Sequence, residues 1–268
     1  ASLKAQNIPI ACIYSDHFEG KEKLVQDFYK TVLSLATCTI FPSKVLADLA
    51  LPFLRKNNKR FVIYDPCQIK QIRFPGKIHA EARLIWFGND SNVKYLVQFL
   101  ERMHSTEEQS YELTILASKY ALSFHKEFFD NVSTRLSWKI RPIEWNVDHQ
   151  PLQLQMELER AQISLITSDP SDPRKAGVSH NRLTDSIQGG CITIASPMES
   201  YKKLSKVAIL GEDFESLIPT AISQSERLSE KYEKLRPSYL EDFRESRNST
   251  KWQAVVTYLL SINQLPDQ

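Results

Sequence analysis

Short apolar runs alternate with helical periodicity from the beginning of the chain. Runs at 8–13, 37–41 and 61–64 are separated by the helical patterns 21–35 and 44–54. Apolar residues that recur every three or four positions predict amphipathic helices, and short runs rich in β-branched residues predict buried strands. Regular alternation of the two indicates an α/β protein with a parallel sheet.

The same alternation resumes after an irregular stretch, 67–80, that contains the turn signal Pro75-Gly76. We therefore predict a first domain at 1–75, a second at 76–225, and a charged helical tail at 226–268 that is interrupted at Pro237. Within the second domain the pattern predicts strands at 83–87, 111–117, 136–140, 163–166, 191–195 and 207–210, and helices at 93–103, 120–132, 152–160, 181–188, 197–204 and 214–222.

The composition indicates a broad class of protein but does not indicate its function. Of 268 residues, 42% are hydrophobic and 25% charged, as in a water-soluble globular protein, and no apolar run approaches a bilayer-spanning length. The net charge of +2 is too small to predict nucleic-acid binding. The four scattered cysteines are typical of reduced, buried thiols, so we expect a cytoplasmic protein.

One local cluster of charge leaves an alternative open. The run Arg55-Lys56-Asn57-Asn58-Lys59-Arg60 is either a solvated helix end or a patch that contacts anionic lipid or an acceptor phosphate. A peripheral membrane contact at the inner face of a membrane is therefore one possibility.

The stretch from Lys175 to Tyr201 carries the clearest chemistry. It is predicted to form a basic loop, a helix at 181–188, a Gly189-Gly190 turn and a strand at 191–195. The first turn of a helix has unpaired N–H groups and the positive end of the helix dipole. Together with Arg174, Lys175 and Arg182, this helix start would suit a phosphate. The alternative is an ordinary helix and strand in which Asp185 is a solvated surface acid.

This stretch resembles the donor-sugar segment of GT-B glycosyltransferases, where a helix with an acidic residue precedes a small-residue turn and a strand ending in Ala-Ser or Ala-Thr. Asp185 stands where that family has the glutamate that hydrogen-bonds the nucleotide ribose, and Gly190 stands at the glycine of the turn. Gly177 occupies the place of a second glutamate, and aspartate at 185 has a shorter reach. The resemblance is thus to the fold and donor site more than to one reaction.

Two further regions resemble the same family. The sequence Phe41-Pro42-Ser43 before a helix, and the strand that ends at Asp65-Pro66, are similar to the later part of a GT-B amino-terminal domain. The loop 88–92 is similar to the loop beside the donor diphosphate, although its usual basic residues are missing. The resemblance implies a donor site formed by Gly88, Asn89, Asn92, Lys175, Asn181, Arg182 and Asp185.

The resemblance also implies an architecture: two Rossmann-like domains that face a cleft, with terminal helices that cross back to the amino-terminal domain. Only three strands are visible before residue 67, so the first domain is short, or the chain begins inside a longer polypeptide. For the tail, the alternative to crossover helices is a coiled-coil arm, but its apolar heptads are not sustained.

Catalysis would need a base across the cleft to deprotonate the acceptor. Asp16 and His17 follow the first strand, where open α/β sheets place functional groups, and are our candidates; the alternative is a capping aspartate and a surface histidine. No histidine has the spacing of a zinc site, so we expect no metal and no cofactor other than the nucleotide-sugar substrate.

The leading hypothesis is a metal-independent glycosyltransferase that moves a sugar from a nucleotide-activated donor to a saccharide or glycolipid acceptor, in polysaccharide or glycoconjugate synthesis. The sequence lacks the glycine motifs of dinucleotide oxidoreductases and P-loop enzymes, which argues against both classes. Two alternatives stay open, namely a non-catalytic GT-B-like binding or assembly module and a sugar-nucleotide epimerase.

Overall fold

The computed structural model describes residues 8–79, 81–104, 110–146, 148 and 150–263. Its first domain is a parallel sheet with the strand order β1-β2-β3. Two helices connect these strands and pack on one face, against a core around Phe41 and Leu46. The elements are β1 Ala11–Ile13, α1 Lys23–Leu35, β2 Cys38–Phe41, α2 Lys44–Leu49 and β3 Lys59–Val62.

The second domain contains a larger parallel sheet, whose strands run in the order β6-β5-β4-β7-β8-β9. Its strands are β4 Glu81–Phe87, β5 Ser110–Ala117, β6 Lys139–Glu144, β7 Ile163–Ile166, β8 Ile192–Ala195 and β9 Ile209–Leu210. The helices between them are α3 Asp90–Arg102, α4 Lys119–Phe124, α5 Lys126–Leu136, α6 Gln150–Arg160 and α7 Asn181–Gln188. The chain reverses its direction across the sheet between β4 and β7, and ligands of open α/β sheets bind beyond the carboxyl ends of strands at such a point.

Strand β4 is central and buried on both faces, which explains its nearly continuous apolar sequence. Leu84 and Trp86 belong to the main core, whereas Ile85 and Phe87 belong to a second cluster on the opposite face. Parallel strands covered by helices on both sides have this composition. The loop after β4 is therefore held on a rigid support.

The segment 63–79 joins the domains without forming a helix or a strand, and it lies along the second domain. Phe74 and Ile78 enter the core of that domain, and the N–H of Ile72 donates to the Gln188 carbonyl at 3.0 Å. The contacts of the second domain thus begin before the predicted boundary at residue 75. The two domains are thus joined by an ordered segment, 63–79, which we call the strap.

The last helices cross between the domains, as the resemblance implied. Helix α8 (Phe214–Ser223) and helix α9 (Ser225–Tyr239) pack on the second domain. Helix α10 (Glu245–Asn263) then reaches the first sheet, where Val255 packs with Cys38, Ile40 and Ile63. Among the described residues, no helix has both the length and the apolarity needed to cross a bilayer.

Several predicted elements differ from the structure, and three of the differences bear on how helices and strands end. The predicted helix 120–132 is two helices, α4 and α5, because the chain breaks at His125. The predicted strand 136–140 begins later, at Lys139, because Leu136 ends α5, and it includes Pro142, which an edge strand tolerates. Pro237 does not interrupt its helix, since α9 continues through it to Tyr239.

The turn before β8 provides a test of how tightly the strap is packed. Gly190 has φ +76°, and a Cβ there would lie 2.5 Å from the Arg73 carbonyl oxygen. Gly190→Ala should therefore lower the free energy of unfolding by about 3 kcal/mol or more, because a clash with backbone adds to the cost of the left-handed conformation.

Gly76 is the matched control for this substitution. It has a similar φ of +70°, but a Cβ there would meet no atom within 4 Å. Gly76→Ala should cost only about 1 kcal/mol, the conformational part alone. Urea denaturation of both variants measures the difference, and equal losses would show that the strap yields at Arg73.

Candidate functional site

A cleft of about 520 Å³ lies beyond the carboxyl ends of β4 and β7, at the point where the strand order reverses. The second domain supplies most of its wall, and Asp16 of the first domain faces it. The cleft brings together Asp16 and all seven predicted donor-site residues: Gly88, Asn89, Asn92, Lys175, Asn181, Arg182 and Asp185.

The loop after β4 forms one wall and is fixed by its own side chains. Asn89 accepts hydrogen bonds from Ser91 Oγ at 2.9 Å and from Asn92 Nδ2 at 2.8 Å. The N–H of Gly88 donates to the Leu116 carbonyl at 3.2 Å, so this amide is already used. A Cβ at Gly88 would lie 3.1 Å from the Trp86 ring and 3.4 Å from Arg182 Nη1, so the glycine leaves room for both side chains.

Two cations lie at the start of α7. Lys175 Nζ donates to Asn92 Oδ1 at 2.8 Å, which ties the loop before α7 to the loop after β4. Arg182 lies in the first turn of α7 and hydrogen-bonds Tyr201. Burial, and then the charge of Arg182, lower the pKa of Lys175. Two cations and the positive end of a helix dipole thus face the same cavity, an arrangement that attracts an anion.

Arg174, the third cation of the predicted cluster, does not join them. Its guanidinium binds both carboxylate oxygens of Asp172, at 2.9 and 2.8 Å. Tyr95 also donates to Asp172 at 2.6 Å, and these bonds hold the pKa of Asp172 well below its ordinary value. Arg174 is a structural anchor of the loop, because the carboxylate satisfies its charge.

Asp185 is buried in the cleft wall and is 4% exposed, which excludes the solvated surface acid. Its Oδ1 accepts a hydrogen bond from the Gln68 N–H at 2.9 Å. Burial raises the pKa of this carboxyl to about 7, although the Gln68 N–H opposes the shift, and the nearby charge of Asp65 raises it further. A buried carboxylate with spare acceptor capacity would gain from a hydroxyl donor supplied by a ligand.

The loop 176–180 docks directly on the first domain. Ser43 Oγ accepts the Leu46 N–H at the start of α2 and donates to the Gly177 carbonyl at 2.7 Å. Gly177 has φ +74°, and a Cβ there would lie 2.8 Å from Leu46. The position that holds a glutamate in the resembled family is thus a domain contact in this chain.

Two further contacts complete this docking. Ser179 Oγ donates to Asp65 Oδ2 at 2.6 Å. The His180 ring packs between Tyr64 and Phe243, and its Nε2 bonds the Ser200 carbonyl at 2.8 Å. Burial lowers the pKa of His180 to about 4, so the ring is neutral at neutral pH. Apolar packing around a neutral imidazole and a hydrogen bond to the Asp65 carboxylate therefore hold the two domains together here.

The two catalytic candidates occupy different places. The Asp16 side chain is 63% exposed at the cleft, with Lys21 Nζ 4.0 Å from its carboxylate. His17 is 3% exposed and lies outside the cleft lining. Its Nδ1 is 3.1 Å from the Tyr14 hydroxyl and its Nε2 is 3.2 Å from a Glu19 carboxylate oxygen. His17 is neither a surface residue nor in contact with the cleft in this conformation, and its role stays a prediction.

Several lining residues were not predicted from the sequence. Gln68 comes from the strap, Trp145 follows β6, and Tyr201 follows β8. Trp145 and Tyr201 could have been predicted, because sites in open α/β proteins lie beyond the carboxyl ends of parallel strands. Gln68 could not have been predicted, because it lies in an irregular segment whose position does not follow from any periodicity.

A larger depression, of about 950 Å³, lies between α3 and the start of α8. Among the described residues, its wall has four carboxylates, Asp169, Glu212, Asp213 and Glu215, and a single cation, Arg102. An anionic ligand is better matched by the smaller cleft with Lys175 and Arg182. Within the described part of the chain, no three His, Cys, Asp or Glu side chains converge as metal ligands. All four cysteines are free, and Cys67 alone is not fully buried.

Comparison with solved structures identifies the architecture. Sucrose-phosphate synthase from Thermosynechococcus elongatus matches with a TM-score of 0.68 and 9% identity, over 94% of this chain and 68% of that one. Anabaena HepE, solved with UDP, matches with a TM-score of 0.70 and 12% identity, over 97% and 74%. The chain has the GT-B fold.

Two further GT-B structures also match the chain. The UDP-forming trehalose-phosphate synthase of Burkholderia vietnamiensis has a TM-score of 0.61 at 10% identity, and the match covers 97% of this chain and 69% of that one. TarM matches over only 50% of its own length. No family model matches the chain, and no curated protein matches it in sequence. The likeness is therefore one of fold.

The buried Asp185 predicts a pH-dependent stability. Because its pKa is about 7 when folded and ordinarily about 3.9, the folded protein holds this proton more tightly than the unfolded chain does. The stabilisation from protonation is complete below pH ~4 and is lost as pH rises towards 7. Asp185→Asn keeps the acceptor for Gln68 and removes the titration.

As pH rises from 5 to 7.5, the unsubstituted protein should therefore lose stability relative to the Asp185→Asn variant. The difference between their free energies of unfolding should grow by at most about 1.4 kcal/mol per pH unit. Urea denaturation at several pH values measures it. Parallel curves for the two proteins would show that Asp185 is ionised throughout this range.

Proposed function

We propose that the protein transfers a sugar from a nucleotide-activated donor, bound in the cleft of the second domain, to an acceptor held against the first domain. The observation that carries this proposal is the meeting of Lys175, Arg182 and the start of α7 with the buried Asp185 in one cavity. HepE, a protein of the same fold, has been solved with UDP and with UDP-glucose.

The donor diphosphate would lie against Lys175, Arg182 and the first turn of α7. When the bond between the anomeric carbon and the β-phosphate oxygen breaks, the leaving nucleoside diphosphate gains negative charge. Cations and helix N–H groups that are already in place stabilise this charge without reorganisation. The proposed mechanism therefore assigns stabilisation of the leaving group to protein groups and requires no metal ion.

The ribose hydroxyls would donate to Asp185. Its Oδ1 has the Gln68 N–H as partner, and its other oxygen can accept a hydroxyl. Hydrogen bonds to a charged acceptor contribute about 1.5 to 3 kcal/mol each. Such a bond favours the ionised form, so nucleotide binding would lower the raised pKa of Asp185.

The acceptor would approach from the first domain, where Asp16 is the exposed carboxylate at the cleft. Its carboxylate would take the proton of an acceptor hydroxyl as that oxygen bonds to the anomeric carbon. We extend the proposal to saccharide or glycolipid acceptors, in polysaccharide or glycoconjugate synthesis, on the strength of the sequence resemblance alone.

A binding experiment tests the phosphate site. Arg182→Gln should weaken UDP binding by about 1.5 to 3 kcal/mol and change uridine binding little, because only the diphosphate interacts with the removed charge. Isothermal calorimetry with both ligands measures the split. Equal losses for UDP and uridine would remove Arg182 from the phosphate site.

Arg174→Gln is the matched control, since it removes the same charge from the same loop region. Asp172 satisfies Arg174, and Arg174 does not line the cleft, so the UDP-to-uridine ratio should stay unchanged. A parallel loss in this variant would indicate a diffuse field effect instead of a defined site.

Turnover of UDP-glucose tests the base. Asp16→Asn should lower transfer or hydrolysis by about 10² to 10⁴ while leaving UDP affinity nearly intact, because the donor binds the other domain. His17→Asn should reduce thermal stability and affect the rate less, because His17 is buried away from the cleft. The reverse ranking would make His17 the base, and UDP binding without any turnover would favour the non-catalytic module.

A further inference from the structure

The strap obtains several of its hydrogen bonds from side chains of helix α9. Backbone N–H groups that leave water need partners, and the strap lies against the second domain without entering its sheet. Three N–H groups of the strap donate to side chains of α9: Phe74 to Glu233 at 3.4 Å, Gly76 to Ser229 at 3.1 Å and Ile78 to Ser225 at 2.8 Å. The acceptors are spaced four residues apart, so they lie on one side of the helix. Alternate residues of the strap thus meet successive turns of α9.

Arg236 continues this row of side chains. It lies three residues beyond Glu233, on the same side of α9, and is 1% exposed. Its Nη1 donates to the carbonyls of Ile72 and Ile187, at 2.6 and 3.2 Å. Its Nη2 donates to Glu233 at 2.6 Å, and its guanidinium carbon lies 4.8 Å from the centre of the Phe74 ring. One buried cation therefore joins α9, the strap and the end of α7.

The end of α7 is a favourable place for this cation. The last carbonyls of a helix lack partners within the helix and form the negative end of its dipole. Ile187 and Gln188 are the last residues of α7, and the Gln188 carbonyl also accepts the Ile72 N–H at 3.0 Å. Ile72 is thus bonded through both of its backbone groups, one to α7 and the other to Arg236. Loss of the guanidinium would release one of these two bonds.

Both supports of Asp185 start from this junction. Asp185 lies in the last turn of α7, where its backbone carbonyl accepts the Gly189 N–H at 2.7 Å. Its side chain accepts the N–H of Gln68, which precedes Ile72 in the strap. The strap and α7 therefore hold Asp185 from two sides, and Arg236 fixes one of them relative to the other. Arg236 is not among the residues that line the cleft, so any effect that it has on a ligand there passes through these two elements.

We propose that Arg236 is a positioning residue for the donor site. By holding Ile72 on the end of α7, it keeps the Gln68 N–H on the carboxylate of Asp185, and so keeps that carboxylate in place to accept the ribose hydroxyls of the donor. The inference rests on the proposed function, because the ribose belongs to the proposed donor. The bond between Gln68 and Asp185 exists without a ligand, however, and can be tested by itself.

The ionisation of Asp185 reports on this bond. Burial raises the pKa of Asp185 to about 7, and the Gln68 N–H opposes that shift because it binds the charged form. Four other titratable groups lie beside Asp185 in the strap or line the same cleft: Asp65, Cys67, Lys175 and Arg182. All four are kept in the variants below, so a change in the pKa of Asp185 reports on the changed position alone.

Two substitutions of Arg236 test the proposal. Arg236→Met removes the charge and the donors, and Arg236→Lys keeps the charge but loses the planar fork that reaches two segments at once. In the ligand-free protein, both should move the titration midpoint of Asp185 upwards, because its carboxylate loses the Gln68 donor. Carbon NMR of the aspartate carboxyl groups measures the midpoint, with Asp185→Asn to assign the signal. Arg236→Lys also carries the test if Arg236→Met does not fold.

Ligand binding gives the second readout. Arg236→Met should weaken UDP and uridine by the same factor, about tenfold or more at pH 7, because the ribose is common to both ligands. Arg236→Lys should weaken both by a smaller factor. This differs from the result expected for Arg182→Gln, in which UDP alone is affected. If the unsubstituted protein binds neither ligand, the proposed function is wrong, whereas the NMR titration still decides whether Arg236 holds Asp185.

Ser225→Ala is the matched control. Ser225 is 1% exposed, like Arg236, and also binds the strap, but it does so at Ile78, at the far end from Gln68. Its loss should lower the melting temperature and leave the Asp185 midpoint and the uridine affinity unchanged. Equal changes in Ser225→Ala and the Arg236 variants would show that any loosening of the strap reaches the site, which overturns the specific role of Arg236. An unchanged midpoint in Arg236→Lys also overturns it, because the charge alone would then suffice.

Discussion

The docking of loop 176–180 on helix α2 is the constraint on which the rest of the site depends. It needs a residue without a side chain at Gly177, since a Cβ would collide with Leu46. Ser43 uses one hydroxyl both to cap α2 and to hold the Gly177 carbonyl. Because Lys175 and Arg182 flank this loop, the contact sets their position relative to Asp16. Local packing at Gly177 thus fixes how the second-domain wall of the cleft lies relative to the first domain.

The buried carboxyl of Asp185 in the cleft wall lowers the stability of the fold near neutral pH. Two carboxylates, Asp65 and Asp185, lie near one another where the two domains meet, and burial raises the pKa of Asp185 to about 7. A carboxyl held in this state costs stability near neutral pH, as groups at functional sites often do. A ligand hydroxyl would offset that cost, because it supplies a further donor to the carboxylate. The free energy that folding loses by burying Asp185 would then be recovered when a ligand hydroxyl bonds to its carboxylate.

Much of this arrangement follows from the sequence, and the exceptions have physical reasons. The predicted strand 163–166 and helix 181–188 have the bounds seen in the structure, because strong periodicity and clear turn residues mark them. The seven predicted donor-site residues line one cavity, because the loop after β4 and the loop and helix after β7 meet at one edge of the sheet. His17 could not be placed in this way. Its neighbours Asp16 and Glu19 are exposed, whereas its ring lies inward against Tyr14 and Phe18, which belong to the core of the first domain.

The structural neighbours share 9 to 12% of their residues with this chain, so the fold survives almost complete replacement of side chains. The parts of the cleft that depend least on side chains are formed by the backbone. They are the reversal of strand order, the glycine after β4 and the start of helix α7. A helix start in such a position favours an anion whatever the neighbouring side chains are. Most of the cleft wall belongs to the second domain, whereas the first domain contributes mainly Asp16. If a nucleotide-activated donor binds in this cleft as we propose, its binding should tolerate changes in the first domain that abolish turnover.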